Sequence, residues 1–353
     1  MTPADTYAAI REALTALGDR NSQFLTPEEA KGLGAVRAGR ATGLLVLHPE
    51  AIVAQVTPES PAQQAGVLVG DRILAVEGVD LAAESGGRFA RLFGNGLRAD
   101  GSTAPLALSV QTGKDGPRTV RVDLAAFDAN PPTGSRLDGD VGYLELPGLG
   151  AGPLAKTYAD IAQDLIKTID SVPVRGWILD LRRNTGGNVW PILAGIGPIV
   201  GEGVLGAYVS ANGRTEWSYA EGAAMIGGQA AASVTSPYEP AAPLPPVAVL
   251  TSGLTANAGE AVVVAFRGRE RSRTFGAPTR GVPTANTQMR HDDGALLVVT
   301  IMLYVDRTGR TYDGSIAPDV PVATDWTKFG AADDPVIVAA KRWLAEQPKA
   351  NSR

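Results

Sequence analysis

The stretch Gly176-Trp177-Ile178-Leu179-Asp180-Leu181 decides the fold class, because it is an apolar run interrupted only by Asp180. Such a run is typical of a strand that is buried on both faces of a sheet. Val247-Ala248-Val249-Leu250 repeats the pattern, and residues 141–146 predict a third strand. Residues 156–171 have the apolar spacing of an amphipathic helix. Strands that alternate with helices predict an α/β core.

A β-rich unit precedes this core. Residues 43–47, 52–56 and 72–76 are short apolar runs bounded by Gly, Pro or Asp, as expected of strands joined by turns. Before them, residues 6–17 predict an amphipathic helix that ends at Gly18. The chain therefore contains more than one domain, as its length of 353 residues also suggests.

Two segments between these elements are rich in Gly, Pro, Ala and Ser. Residues 127–135 have the composition of a linker, and residues 222–246 predict a long surface excursion. The predicted organisation is an N-terminal helical segment, a β-rich domain, a core domain and a tail, over residues 1–31, 32–127, 128–345 and 346–353.

Composition excludes several classes of function. A net charge of −5 gives no basic surface for nucleic acid, and without cysteine the chain has neither disulfides nor thiolate chemistry. His48 and His291 are the only histidines, which argues against a metal site. Residues 190–209 are apolar, but their glycines and Glu202 favour a buried segment over a membrane span. The sequence predicts a soluble protein without cofactor.

The best motif of the β-rich unit surrounds a short predicted helix. Ser60 and Pro61 suit the first turn of a helix, Gly66 suits its end, and a turn at 70–71 leads into the next strand. Through residues 60–78 this unit resembles a PDZ domain. PDZ domains add an extended peptide to an edge strand and often bind its terminal carboxylate through backbone N–H groups. The resemblance implies a peptide groove at Gly43, Leu44 and Leu45, unless the module only packs against its neighbour.

Four further blocks occur in one order along the chain. They are 17–29 (LGDRNSQFLTPEE), 178–188 (ILDLRRNTGGN), 251–260 (TSGLTANAGE), and 276–286 with 304–310 and 316–320. These blocks are similar to the S41 family of serine peptidases, the carboxy-terminal-processing and tricorn-like group. The resemblance covers nearly the whole chain. It implies an α/β core of the ClpP/crotonase type with an inserted PDZ domain and a short N-terminal helical segment.

The same resemblance locates the nucleophile. Registering the third block on Glu260 puts Asn257 where the family has its serine. An asparagine side chain has no nucleophilic oxygen, so a conventional acyl-enzyme is not expected. Asn257 is also a good residue to begin a helix, which leaves a purely structural role open.

The groups that would activate a serine are replaced as well. In the lysine-dependent form of the family, the register puts Val282 at the lysine and Asn286 at its glutamine partner. In the tricorn-like form the base is a histidine followed by serine, and here that pair is Asn21 and Ser22. Valine and asparagine do not act as general bases. A further family glutamate is replaced by Ala317.

A binding frame is still expected. Gly186 and Gly187 follow a buried strand and resemble the family's oxyanion-hole loop, whose backbone N–H groups bind a carbonyl oxygen. Asp180 has two interpretations, a functional carboxylate or a partner of Arg182. His291 lies in a predicted hairpin turn and is expected to be exposed.

Three functions compete at this point. The first is a peptidase-like protein that binds extended or C-terminal peptide segments without cleaving them. The second is an enzyme of altered chemistry, such as cyclisation, isomerisation or acyl chemistry, that acts on a small carbonyl-containing ligand. The third is an active serine peptidase whose nucleophile has moved to Ser252 or Thr255. Export is expected if the sequence is trimmed at its N-terminus and a leader has been removed, and a cytoplasmic location is expected otherwise.

Overall fold

The computed structural model describes residues 3–18, 21–30, 40–47, 50–81, 104–126, 131–149, 153–240 and 244–348. The chain forms two compact units, Met1–Ala129 with Asn286–Thr300, and Asn130–Ala285 with Ile301–Arg353. The predicted boundaries at 31, 127 and 345 stay predictions. His48 and the first four residues of the predicted linker, 127–130, lie outside the described residues.

The first unit begins with helix α1 (Tyr7–Leu17), which ends at Gly18 with a left-handed φ of +70°. Strand β1 (Gln23–Leu25) pairs antiparallel with residues 296–298. The rest of the unit is β-rich around a short helix α2 (Pro61–Gln64). Its strands are β2 (Arg40–Ala41), β3 (Leu44–Leu47), β4 (Ile52–Val56), β5 (Arg72–Val76), β6 (Val79–Asp80), β7 (Leu106–Gln111), β8 (Arg118–Val122) and β9 (Ala125–Ala126).

The core of this β-rich unit is formed by alternate residues of its strands. In β7 every second residue is fully buried, namely Leu106, Leu108 and Val110, because successive side chains point to opposite faces of a sheet. The sheet order is β3-β4-β5-β7-β8, so β3 is its end strand within the described residues. The helix start is as predicted: the Ser60 hydroxyl accepts a hydrogen bond from the Gln63 N–H.

The second unit contains the predicted α/β core. Its helices are α3 (Tyr158–Ile169), α4 (Val189–Gly195), α5 (Gly197–Val200), α6 (Ala258–Phe266) and α7 (Pro335–Glu346). Its strands are β10 (Thr133–Leu137), β11 (Val141–Glu145), β12 (Gly176–Asp180), β13 (Gly203–Ser210), β14 (Gly213–Ala220), β15 (Ala223–Ile226), β16 (Gln229–Ser233), β17 (Val247–Thr251), β18 (Ser272–Gly276), β21 (Thr311–Tyr312) and β22 (Val320–Pro321). Strands β19 (Thr284–Arg290) and β20 (Leu296–Asp306) contain residues of both units.

The core sheet has the order β10-β11-β12-β17-β18-β22 and is parallel from β11 onward. Every residue of β11, β12 and β17 is buried, as the continuous apolar runs predict. Trp177 and Leu179 pack on the side of α3, α4 and α6, whereas Ile178 packs on the side of α7. Burial on both faces leaves the loops beyond the strands as the place for a site.

Two predictions about the connections are wrong in part. The last residues of the predicted linker form β10, because a tight turn at 138–140 folds them back onto β11. The predicted surface excursion contains β15 and β16, which extend a second sheet in the order β13-β14-β15-β16. Alanine-rich sequence gave no strand signal there, although β15 pairs with β14 and β16 pairs with β15.

Candidate functional site

A sharp turn connects β17 to α6 and carries Asn257 at its apex. The backbone of Asn257 has φ +47° and ψ −106°. This conformation lies outside the left-handed helical region that asparagine tolerates, and it costs about 1–3 kcal/mol. In serine hydrolases a strained strand-to-helix turn of this kind presents the nucleophile. The turn at Asn257 shares this strained strand-to-helix geometry.

The side chain of Asn257 is bound by a neighbouring loop. Its amide Nδ2 donates to the carbonyl oxygen of Thr284 at 2.9 Å, and the residue is half-buried. Its own carbonyl accepts the first bond of α6, from the Ala261 N–H at 2.9 Å. The backbone of Asn257 thus begins helix α6, as expected if the residue has a structural role. Its side-chain amide binds a residue outside the helix.

Glu260 connects the turn to the same loop. Its carboxylate is fully buried and accepts hydrogen bonds from the Asn257 N–H, the Thr279 hydroxyl and the backbone N–H groups of Gly281 and Val282, at 2.6–3.0 Å for the shorter contacts. Burial raises the pKa of Glu260 above its ordinary value, and these four donors partly offset the rise. In the sequence, Glu260 served only to align the third block with the family. A glutamate within an otherwise apolar helix was nevertheless a signal that its carboxylate has buried partners.

The glycine loop after β12 lies against Asn257. A Cβ on Gly186 would stand 3.0 Å from the Asn257 Cβ, and a Cβ on Gly187 only 2.0 Å from the Leu149 carbonyl oxygen. Both glycines have φ near +108°, a conformation that other residues rarely adopt. The loop therefore needs glycine at both positions.

The two glycines differ in their N–H groups. The Gly186 N–H donates to the buried Asn184 Oδ1 at 3.0 Å, so this bond already occupies it. Gly187 is exposed, and among the described residues its N–H donates no hydrogen bond. Of the two predicted oxyanion donors, Gly187 is the one whose N–H can meet a ligand. The segments 184–187, 255–260 and 279–284 are called the elbow site below.

The hydroxyl groups of Ser252 and Thr255, in the turn, donate hydrogen bonds to backbone carbonyl groups. Ser252 Oγ donates to the Arg182 carbonyl oxygen at 2.6 Å, and Thr255 Oγ1 donates to the Leu181 carbonyl oxygen at 2.9 Å. Both residues are buried. A hydroxyl whose proton is held by a carbonyl, with no base beside it, is not activated for attack.

Asp180 belongs to a buried ion-pair network. Arg182 contacts Asp180 at 2.7 Å and Asp334 at 2.8 Å, and none of the three side chains is exposed. The Tyr143 hydroxyl also donates to Asp180, and Asp334 accepts from the first N–H groups of α7. Burial alone would lower the pKa of Arg182, but the two carboxylates raise it. Of the two interpretations of Asp180, the geometry matches the partner of Arg182.

The remaining predicted site residues are distributed over both units. Val282 is half-exposed and contributes its N–H to Glu260, and the Ala317 carbonyl accepts from Arg267. Asn21, Ser22 and Asn286 belong to the first unit, where the Ser22 hydroxyl accepts from the Thr300 N–H at 2.9 Å. His291 lies in the predicted turn.

The predicted peptide-binding residues also lie in the first unit. Gly43 has φ +83°, and a Cβ there would stand 2.2 Å from that of Ser60, so only glycine fits. Its carbonyl accepts from the Thr57 N–H at 2.8 Å. Leu44 is buried and Leu45 is half-buried, at the start of the end strand β3. This strand is the edge to which a peptide could be added.

Metal and membrane features were sought in the described part of the chain. There, no three His, Asp or Glu side chains are grouped so that they could hold a metal ion. None of the helices described is long and apolar enough to cross a membrane.

Comparisons with known proteins agree with the fold. The family model of peptidase family S41 matches residues 140–322, and that of the PDZ domain matches residues 52–93. The carboxyl-terminal-processing protease of Picosynechococcus sp. is 28% identical, over 95% of this chain and 74% of its own length. The carboxy-terminal-processing protease of Bartonella bacilliformis is 27% identical, over 86% of this chain and 66% of its own length.

Among solved structures, the photosystem II D1 C-terminal processing protease is similar to this chain with a TM-score of 0.60. The two share 22% sequence identity, and the match covers 91% of this chain and 83% of the protease. At this identity the likeness concerns the fold. The predicted α/β core with a β-rich PDZ domain is confirmed.

Proposed function

The chain belongs to peptidase family S41, and we propose that it binds an extended or C-terminal peptide segment without cleaving it through a serine nucleophile. Asn257 carries this proposal. The strained turn of a nucleophile is retained, while the side chain on it is a neutral amide bonded to the Thr284 carbonyl. An amide can hold a carbonyl or an N–H group, but it cannot form an acyl-enzyme.

The surrounding groups support loss of the conventional chemistry. The lysine position is Val282, whose side chain carries no proton-transfer group. Ser252 and Thr255, the candidates for a displaced nucleophile, are buried and donate to backbone carbonyls. These contacts favour binding over hydrolysis.

Two features support a peptide as the ligand. The end strand β3 offers an edge for an added strand, and the exposed Gly187 N–H offers a donor to a peptide carbonyl. Relatives of this chain are named for processing carboxyl termini, so a free C-terminus is the ligand to examine first.

Hydrolysis is tested with synthetic decapeptides that end in apolar residues. The purified chain and Asn257→Ala are incubated with them, and products are followed by mass spectrometry. Intact peptides are expected in both cases. Cleavage that disappears in Asn257→Ala would refute the proposal, and so would labelling of Ser252 or Thr255 by a serine-reactive phosphonate.

Binding is tested with the same peptides by fluorescence anisotropy, with free and amidated C-termini. Saturable binding of the free form is expected, with weaker binding to Leu45→Glu because the added charge lies on the end strand and repels the terminal carboxylate of the peptide. Gly116→Ala is the matched control, since a Cβ there meets open space. Failure of every peptide to bind would contradict the proposal.

A further inference from the structure

Within the part of the chain that the structure describes, the buried carboxylate of Glu260 is hydrogen-bonded only to neutral groups. Oε1 accepts from the Thr279 hydroxyl at 2.6 Å and the Gly281 N–H at 2.8 Å, and Oε2 accepts from the Asn257 N–H at 2.8 Å and the Val282 N–H at 3.0 Å. Within the described residues Glu260 forms no ion pair with a lysine, arginine or histidine. A buried carboxylate without a cation depends on such hydrogen bonds.

These donors come from two different segments. Asn257 belongs to the turn before α6, whereas Thr279, Gly281 and Val282 belong to the loop after β18. The two segments meet again where the Asn257 amide donates to Thr284, two residues beyond Val282. Glu260 and the Asn257 amide therefore bind the loop at both of its ends.

We infer that Glu260 is a positioning residue of the elbow site, which fixes the segment 279–284 against the turn at Asn257. Only one consequence of this inference rests on the proposed function, namely that a bound peptide meets this loop in one fixed arrangement. Glu260 acts through its hydrogen-bond partners and does not itself meet the ligand, because it is fully buried.

The test compares Glu260→Gln with a matched control, Asp306→Asn. Asp306 is also a buried carboxylate bonded to neutral donors, namely the Thr308 hydroxyl and N–H, the Arg310 N–H and the Tyr312 hydroxyl. Hydrogen exchange of the full chain is followed by mass spectrometry, with the melting temperature measured for each variant. Glutamine presents an NH₂ group to some of these donors, so at least one bond is lost.

In Glu260→Gln, exchange in peptides covering 279–284 is expected to accelerate about tenfold, as loss of one strong hydrogen bond would cause. In Asp306→Asn these peptides should exchange as in the unmodified chain. Equal acceleration in both variants, or none in Glu260→Gln, would overturn the inference. Binding of the decapeptides should weaken severalfold only in Glu260→Gln.

A second pair of variants covers the case in which Glu260→Gln does not fold. Thr279→Val removes the hydroxyl that donates to Glu260, and Thr279→Ser keeps it. Faster exchange over 279–284 in the valine variant, restored by serine, supports the inference, and equal exchange in the two contradicts it. If no peptide binds the unmodified chain, the proposed function fails while the exchange data still decide the positioning role.

Discussion

Asp180 is the last residue of β12, and Glu260 lies in the helix that follows the neighbouring strand β17. Both carboxylates are fully buried, yet their partners differ. Asp180 is paired with Arg182, which also binds Asp334 at the start of α7. Glu260 is bound by backbone N–H groups and one hydroxyl, all within the elbow site. Burial alone therefore does not distinguish a structural carboxylate from one that organises a site. The two are distinguished by the groups that donate hydrogen bonds to the carboxylate.

The largest effect is expected where the cation is removed. Arg182→Met leaves Asp180 and Asp334 buried without a counter-charge and should destabilise the fold by about 3–5 kcal/mol, measured by chemical denaturation. The control is Lys328→Met, whose partner Asp333 is exposed, so that its stability should stay close to that of the unmodified chain. Similar losses in the two variants would remove the contrast between a buried network and an ordinary pair.

A smaller loss is expected at the other carboxylate. Glu260→Gln keeps the size of the side chain but mismatches some of its donors, so the free energy of unfolding should fall by about 1–3 kcal/mol. No isolated charge is left behind, which is why the loss is smaller than in Arg182→Met. A loss as large as that of Arg182→Met would mean that Glu260 supports the whole fold rather than the site.

The strained turn gives a prediction of about 1 kcal/mol. Asn257→Gly should be more stable than Asn257→Ala by that amount, because glycine relieves the positive φ, although glycine is ordinarily the less stable of the two. Both variants lose the amide bond to Thr284, so their difference isolates the backbone term. Thermal unfolding of the two variants measures this difference in stability. If Asn257→Ala were the more stable variant, the backbone of the turn would not be strained.

The smallest effect concerns pH. Since the pKa of Glu260 is raised in the fold, its contribution to stability is complete below the ordinary carboxyl pKa and is lost as pH rises through the raised value. The four donors offset part of the burial, which keeps this effect small. The stability difference between the unmodified chain and Glu260→Gln, measured at several pH values, should therefore decrease as pH rises. An increase would mean that the donors outweigh burial.

Much of the fold could be predicted because local patterns agreed with it. Strands β4 and β5 have the predicted bounds, since their apolar runs end at clear turn residues. The alanine-rich β16 could not be predicted, because its pairing with β15 comes from the sheet and not from its own side chains. The same holds for β10, which a turn folds back onto β11.

The site was predicted less completely than the fold. The turn at Asn257 and the glycine loop follow from motifs, but the occupied N–H of Gly186 depends on the side chain of Asn184. The role of Glu260 depends on residues 19 to 22 positions later in the chain. Hydrogen bonds over such separations are fixed by tertiary packing, which a linear pattern does not encode.

The bond between Glu260 and the Asn257 N–H holds the turn through the backbone, whatever side chain residue 257 carries. Asparagine and serine codons differ by a single-nucleotide change, so a lineage with this turn can exchange the two residues without rebuilding it. Valine and lysine codons differ by more than a single-nucleotide change. Under the proposed function, gain of a lysine at position 282 would therefore be a slower step than gain of a serine at position 257.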